Sequence, residues 1–241
     1  MLSVCIPCYK EAENLDVLLP RLISSLKSIG TDSEIILMDT IEKMDNAEEV
    51  CAKYASDSAP VEVNYMHREG GNLYGDAIRT IFAKARGEHI IIMDADGSHS
   101  PEDVVRLYNT MQEGTYDLVI GSRYIKGGKT DNPFILIWMS YILNFTYRLF
   151  FGLNVYDVSD SFRVYKAELV KELDLKCDNF DIVEEILILM NIRHKLSIKE
   201  VPITFNKRMY GESKRDLIKF IFSYIGTISK LKKIQRAAKK R

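Results

Sequence analysis

The chain has 241 residues, 46% of them hydrophobic, with 33 basic against 34 acidic side chains and a formal net charge of −1. That length can bury a full core in one large α/β domain, and the balanced charge excludes a globally basic nucleic-acid binder. Its 4 cysteines are too sparse for a disulfide framework and, with no signal peptide evident, are expected to be reduced thiols in the cytosol.

Residues 2–6 read as a short apolar strand ended by Pro7, after which Leu15, Leu18, Leu19, Leu22, Ile23 and Leu26 recur at helical spacing. Cys5 and Cys8 match a C-x-x-C, but at a strand end rather than at the helix start that would lower a thiol pKa, which disfavours redox chemistry. Strands at 34–38 and 61–66 then alternate with helices at 47–55 and 74–85. The strand at 89–93 leads into Asp94-Ala95-Asp96. In extended chain the two carboxylates point to the same side, with small Ala95 between them. Such a pair suits Mg2+ or Mn2+, which take oxygen ligands and fill the rest of the shell with water and substrate phosphate. The tripeptide alone fits a solvated turn, with Ser98 capping the next helix, equally well.

Pro101 opens a helix to about Met111, and a further strand at 117–120 precedes Gly121. This alternation predicts a mostly parallel, Rossmann-like sheet flanked by helices, with ligands at the C-terminal strand ends, where Asp39 and the Asp94/Asp96 pair fall. Beyond Gly121 the composition changes. Residues 132–147 contain no charge and interleave Trp138, Tyr141 and Tyr147. The stretch is shorter than the roughly 20 residues of a spanning helix, leaving an interfacial segment (132–150) or an ordinary buried helix. Residues 181–192 read as a buried helix, and 197–201 and 203–205 as strands around Pro202. Residues 230–241 carry only basic charges and follow an apolar stretch at 220–225. Residues 215–241 therefore read as an amphipathic helix with a basic tail, a two-part signal for peripheral membrane attachment. Nucleic acid is disfavoured as a partner because no base-stacking aromatic lies within the tail, and a solvated tail is the other alternative.

Several motifs, in order, resemble one family. Ile6-Pro7-Cys8-Tyr9-Lys10-Glu11, Met93-Asp94-Ala95-Asp96-Gly97 and Gly121-Ser122-Arg123-Tyr124 are similar to segments of family 2 glycosyltransferases of the GT-A type. Asp157-Val158-Ser159-Asp160-Ser161-Phe162-Arg163, Glu200-Val201-Pro202-Ile203 and Arg208-Met209-Tyr210-Gly211-Glu212-Ser213-Lys214 resemble its polyprenyl-phosphate branch, which includes dolichol-phosphate mannosyltransferases. The match runs over residues 1–214. Two departures stand out: Asp39 is followed by Thr40-Ile41-Glu42-Lys43 instead of a second aspartate, and Asp160-Ser161 stands where the branch has Ser-Gly.

The resemblance implies an inverting, metal-dependent transferase that moves a hexose from a GDP- or UDP-linked donor, GDP-mannose favoured, to a polyprenyl or dolichyl phosphate at the cytoplasmic membrane face. A glycan hydroxyl acceptor, or an inactive nucleotide-sugar binder, is the alternative. Pro7, Tyr9, Glu11, Asp39, Asp94, Ala95, Asp96, Arg208 and Lys214 are implied at the donor, Asp94 and Asp96 holding the metal. Ser122, Arg123 and Arg163 are implied at the acceptor, the guanidinium of Arg123 matching a phosphate. Asp96, Arg123, Asp157 and Glu185 are the catalytic candidates. Asp157 would orient the acceptor or act as base, with Glu185 second, although acids in the first turn of a helix are favoured by the macrodipole in any case.

Overall fold

The apolar runs are continuous because the strands they form are buried on both faces, as parallel strands between helix layers must be. In a computed structural model, which describes residues 1–56, 58–210 and 217–238, the strands are β1 (Leu2–Pro7), β2 (Ser33–Asp39), β3 (Val61–His67), β4 (His89–Ile92), β5 (Leu118–Ser122), β6 (Lys129–Thr130), β7 (Arg163–Lys166), β8 (Ile198–Pro202) and β9 (Thr204–Phe205). The helices are α1 (Ala12–Ile29), α2 (Ala47–Ala55), α3 (Tyr74–Lys84), α4 (Pro101–Glu113), α5 (Phe134–Phe151), α6 (Ala167–Lys171), α7 (Ile182–His194) and α8 (Leu217–Ala238). Alternate residues feed two cores. Val4, Ile35, Leu37 and Ile91 pack with α1, α2 and α4, whereas Cys5, Ile36, Met38, Ile90 and Ile92 pack with α3 and α5 to α8.

The main sheet has seven strands in the order β3-β2-β1-β4-β7-β5-β8, and β6 pairs with β9 in a second, small sheet. The expected parallel pairing holds except at β7, which runs antiparallel to both β4 and β5. The reason is where the chain travels. β5 delivers it to the C-terminal edge at Ser122, the chain re-enters the sheet at Arg163 opposite Ile92 and Ile120 near that same edge, and the strand from there can only run back. This antiparallel insertion places Arg123 and the 157–161 loop beside the end of β4.

Two expected site residues lie in this core instead of in the site. Arg163 is fully buried on β7; its Nη1 donates to the Val183 carbonyl at 3.0 Å and its Nη2 to that of Val158 at 2.5 Å. It clamps α7 to the sheet and presents no free fork to an acceptor. Glu185 is equally buried. Its Oε2 accepts from the amides of Lys176 and Cys177 at 2.9 and 2.7 Å, and Oε1 lies 3.4 Å from Lys230 of α8. A carboxylate occupied in this way ties down a loop and a helix, and is not a catalytic base.

α5 covers Phe134–Phe151, close to the expected segment at 132–150, but against the expectation of a stretch too short to span, the helix is long and apolar enough to count as a candidate membrane span. The basic stretch is not a loose tail over its described part. α8 continues to Ala238, burying Tyr224, Thr227, Leu231 and Gln235 at helical spacing. Lys232 Nζ donates to the Phe150 carbonyl at the end of α5. The expected boundary at residue 214/215 lies outside the described residues.

Glu184, next to Glu185 on α7, is fully buried, and neither of its oxygens has a well-formed hydrogen bond. Burial pushes its carboxyl up to about 8, with Arg163 only partly opposing. Between the unfolded value of about 4.3 and that folded value, the native state keeps a proton the unfolded chain has released. Stability should therefore fall as pH rises across that window and level off above it. Glu184→Gln should flatten this slope in denaturant titrations from pH 5 to 8, and an unchanged slope would remove Glu184 as its source. Glu185→Ala should cost about 1–3 kcal/mol of unfolding free energy by orphaning two amides, with kcat per folded molecule retained.

Candidate active site

The C-terminal edge of the sheet collects the candidate residues. Met93 continues the β4 pairing by donating to the Cys5 carbonyl at 3.0 Å, and the chain then turns through Asp94-Ala95-Asp96-Gly97. Asp96 Oδ1 accepts from the Ser98 amide at 2.9 Å, and Oδ2 from Arg208 Nε and Nη2 at 3.0 and 2.9 Å. Burial opposes its ionisation, but Ser98, Arg208 and His99 together hold its pKa below the usual carboxylate value. Asp94 Oδ1 accepts from Ser161 Oγ at 3.1 Å. Among the described residues no three His, Cys, Asp or Glu side chains converge on a ready cation site. Two ionisable carboxylates at one strand end nonetheless fit a hard divalent cation that takes its other ligands from water and a diphosphate.

A strap at residues 206–210 covers this turn. The Asn206 amide donates to the Ser98 carbonyl and the Met209 amide to the Asp96 carbonyl, both at 2.9 Å, and the Tyr210 amide donates to Asn14 Oδ1 at 3.1 Å. Gly97, at φ +80°, lies so close beneath Met209 that a Cβ there would sit 2.6 Å from its methyl carbon. Arg208 reaches from the strap to Asp96 and to Glu11, 3.5 Å away. Burial, with Asp96 and Asp94 adding their charge, raises the Glu11 carboxyl against the opposing Asn14 and Arg208. Lys214 lies outside the described residues.

Pro7 and Asp39, expected at the nucleotide, lie at the ends of β1 and β2, which are in register through Pro7 with Met38. Asp39 is fully buried; Oδ1 accepts from the Thr40 amide at 2.7 Å and Oδ2 from Tyr65 Oη at 2.8 Å. Its first task is thus to hold the turn and Tyr65. Tyr9 is exposed, and Lys10 beside it has φ +57°. The sequence gives no cue to Arg68, which is buried at these same strand ends. Its Nε donates to the Asp39 carbonyl at 3.0 Å, its Nη1 to those of Asn72 and Leu73 at 3.1 and 3.2 Å, and its Nη2 to Cys8. One lone arginine after a strand carries no pattern. Its role exists only because three chain segments meet there.

Arg123, expected to meet the acceptor, follows β5 directly and is only 8% exposed, which makes its partners decisive. Nε and Nη2 grip Asp157 at 2.8 and 2.7 Å, and the Arg123 amide donates to the same carboxylate at 2.9 Å. Nη2 also donates to Ser159 Oγ at 2.9 Å, and Nε lies 3.2 Å from Asp160 Oδ2. Asp157 is therefore no free base. It is itself held by Glu200, which accepts from the amides of Tyr156 and Asp157, each at 2.9 Å. Ser122 is buried with its hydroxyl unpaired, and its carbonyl accepts from the Ile203 amide at 3.1 Å. His99 is another residue the sequence does not disclose. It is fully buried between the Asp94 amide, 3.0 Å from Nδ1, and Asp160, 3.1 Å from Nε2.

The family model described as Glycosyl transferase family 2 matches residues 3–174. A dolichol-phosphate mannosyltransferase of Pyrococcus furiosus is 35% identical over 236 residues, 96% of this chain but 63% of that protein, so the chain spans less than two thirds of its length. A polyprenol monophosphomannose synthase of Mycolicibacterium smegmatis is 33% identical over 220 residues, 88% of this chain and 79% of that one. In fold, the chain matches a glucosyl-3-phosphoglycerate synthase from Mycobacterium tuberculosis, solved in complex with Mn2+ and UDP-glucose, with a TM-score of 0.70 at 18% identity over 96% of this chain and 78% of that one. With its strand-end carboxylates on a mostly parallel sheet and a family match over most of its length, the chain belongs to glycosyl transferase family 2 and has the GT-A fold.

Proposed function

We propose that this chain transfers a hexose, with inversion at the anomeric carbon, from a nucleoside-diphosphate sugar to a polyprenyl phosphate at the cytoplasmic face of a membrane. GDP-mannose is the favoured donor over UDP-linked sugars, because both curated relatives are named for mannose transfer to such lipids. The observation that carries the reading is the Asp94/Asp96 turn lying under a strap whose Arg208 already neutralises Asp96. A Mg2+ or Mn2+ held by Asp94 and Asp96 would neutralise charge on the departing diphosphate. Arg208 would then pass from the carboxylates to the diphosphate oxygens, where Lys214 would add a second positive charge.

In the reaction an acceptor phosphate oxygen forms the bond to the anomeric carbon while the bond to the diphosphate oxygen breaks. The nucleoside diphosphate leaves with that electron pair. A phosphate monoester, with a second pKa of about 6, is largely ionised at neutral pH and needs no base. A glycan hydroxyl does need one, and Asp157, locked on Arg123, is not available. This favours the lipid phosphate over the hydroxyl. Arg123 is positioned to meet that phosphate only by sharing a fork that Asp157 already fills.

The membrane part rests on α5, about 27 Å long at 1.5 Å per residue. Phe134, Ile135, Trp138, Ile142, Phe145 and Leu149 are all exposed on it, an apolar face larger than an isolated surface residue explains. Lys232, Lys233 and Arg236 of α8 add attraction to anionic headgroups.

Incubation with a panel of GDP- and UDP-hexoses and a polyprenyl phosphate should leave labelled sugar in the organic extract. Asp96→Asn or Asp94→Asn should lower that yield by more than about 100-fold, since metal stabilisation contributes several kcal/mol. Full turnover in EDTA would sink the metal role; label appearing only in water-soluble glycan would make the acceptor a hydroxyl; no transfer from any donor would leave a nucleotide-sugar binder. Replacing Phe134, Trp138 and Phe145 together with Ser should weaken sedimentation with anionic vesicles by roughly 10-fold or more without lowering the melting temperature. Unchanged vesicle binding would show that α5 does not face lipid.

A further inference from the structure

The two positions where the 157–163 segment departs from its family pattern, Asp160 and Ser161, have side chains that reach opposite halves of the site. Asp160 is buried, with Oδ1 accepting from the Phe162 amide at 2.8 Å and lying 3.1 Å from His99 Nε2, and Oδ2 lying 3.2 Å from Arg123 Nε. The His99 ring stacks on Phe162, with centroids 4.6 Å apart and an interplanar angle of 14°, and its edge meets Phe205. Because the Asp94 amide points at Nδ1 at 3.0 Å, Nδ1 is the acceptor and the ring proton sits on Nε2, whose contact with Asp160 is a close electrostatic approach and not an aligned hydrogen bond. Ser161, next in the chain, donates to the Asp94 carboxylate at 3.1 Å. The backbone and the side chain of Asp94 are thus both fastened to the loop that holds Arg123.

We propose that Asp160 is a positioning residue for the transfer reaction. Acting directly on Arg123, and through His99 on Asp94, it fixes the acceptor-side arginine and the metal carboxylates relative to each other. The proposal rests on Asp94 and Asp96 holding the cation. A buried carboxylate orienting an imidazole that in turn orients a ligand residue is an outer-shell arrangement, and such partners govern metal affinity. Asp160, buried behind Arg123 and His99, is not placed to contact either substrate. Its effect reaches the reaction only through the two groups it holds.

The test uses the whole chain and a readout that does not depend on transfer. Mn2+ binding in the presence of GDP or UDP is followed by electron paramagnetic resonance for the unsubstituted protein, Asp160→Asn, His99→Gln and the double variant. Each single change should weaken Mn2+ binding by about 10-fold, the lower end for outer-shell partners. The double variant should be no weaker than the worse single, because both act along one chain of contacts. Asp160→Asn should also raise the rate at which phenylglyoxal labels Arg123, read by peptide mass. Asp160→Ser serves as a second variant should the asparagine protein not fold. Unchanged Mn2+ affinity and Arg123 labelling, with only a lower melting temperature, would reduce Asp160 to a structural residue and overturn the proposal. So would multiplicative losses in the double variant. Absence of Mn2+ binding by the unsubstituted chain would instead remove the metal reading, and the proposal with it.

Discussion

The ion pair between Arg123 and Asp157 is the constraint on which the site is built. A guanidinium this deeply buried is tolerated only when its donors are met by well-placed acceptors, since breaking such a pair costs about 3–5 kcal/mol. Meeting that demand fixes the local chain. Asp157 must present both oxygens to Arg123, which requires Glu200 to hold the Tyr156 and Asp157 amides, and Ser159 and Asp160 must close round the remaining edge. The Val158 amide is held in turn by Asn144 of α5, at 2.9 Å. The loop is therefore tied to β5, β8 and α5 at once, and β7 starts from it in the only direction left.

The two arginines of the site stand in different physical conditions, and their proposed roles follow. Arg208 is about one-third exposed and shared between Asp96 and Glu11. Open to water on the arginine side, such a pair is weaker than one buried on both sides, which lets an incoming diphosphate compete for it. Arg123 is locked by two carboxylates and cannot be moved at comparable cost. Under the proposed function, reorganisation on donor binding would thus belong to the 206–210 strap, which is fastened over the Asp94/Asp96 turn mainly by backbone hydrogen bonds, while the surroundings of Arg123 would stay in place.

Much of this was legible in the sequence because periodicity reports burial. The strands β1 to β5 and helices α1 to α4 follow from apolar spacing, and the Asp94/Asp96 turn from a hydrophobic run ending in acids. β7 was not legible: with four residues it is too short for a period to show, and only its antiparallel direction makes sense of the long excursion before it. Arg163 and Glu185 look like site residues in a motif and on a polar helix start, but which face of a strand or helix meets solvent is decided by what packs there. For both, that is α7 or α8 rather than substrate. His99 and Arg68 escape for the opposite reason, since their partners lie on segments distant in sequence and no local pattern marks them.

α5 shows how burial and exposure can exchange their usual contents. Its inward stripe is Asn144, Tyr147 and Phe151, while Phe134, Ile135, Trp138, Ile142, Phe145 and Leu149 face outward. In water alone this arrangement is unfavourable, because the exposed face forgoes the burial that normally anchors a helix. It becomes consistent if the outer face is covered by lipid and the inner face has structural work to do. That work is visible: Asn144 holds the Val158 amide, and Ser140 bonds Ser159 at 3.1 Å and lies 3.5 Å from Arg123. The helix proposed to rest in the membrane interface is therefore hydrogen-bonded directly to the loop that grips Arg123, the arginine proposed to meet the acceptor. An acceptor phosphate held at the headgroup level would meet a site whose height is set by α5 itself, with no separate motion needed to bring the two together.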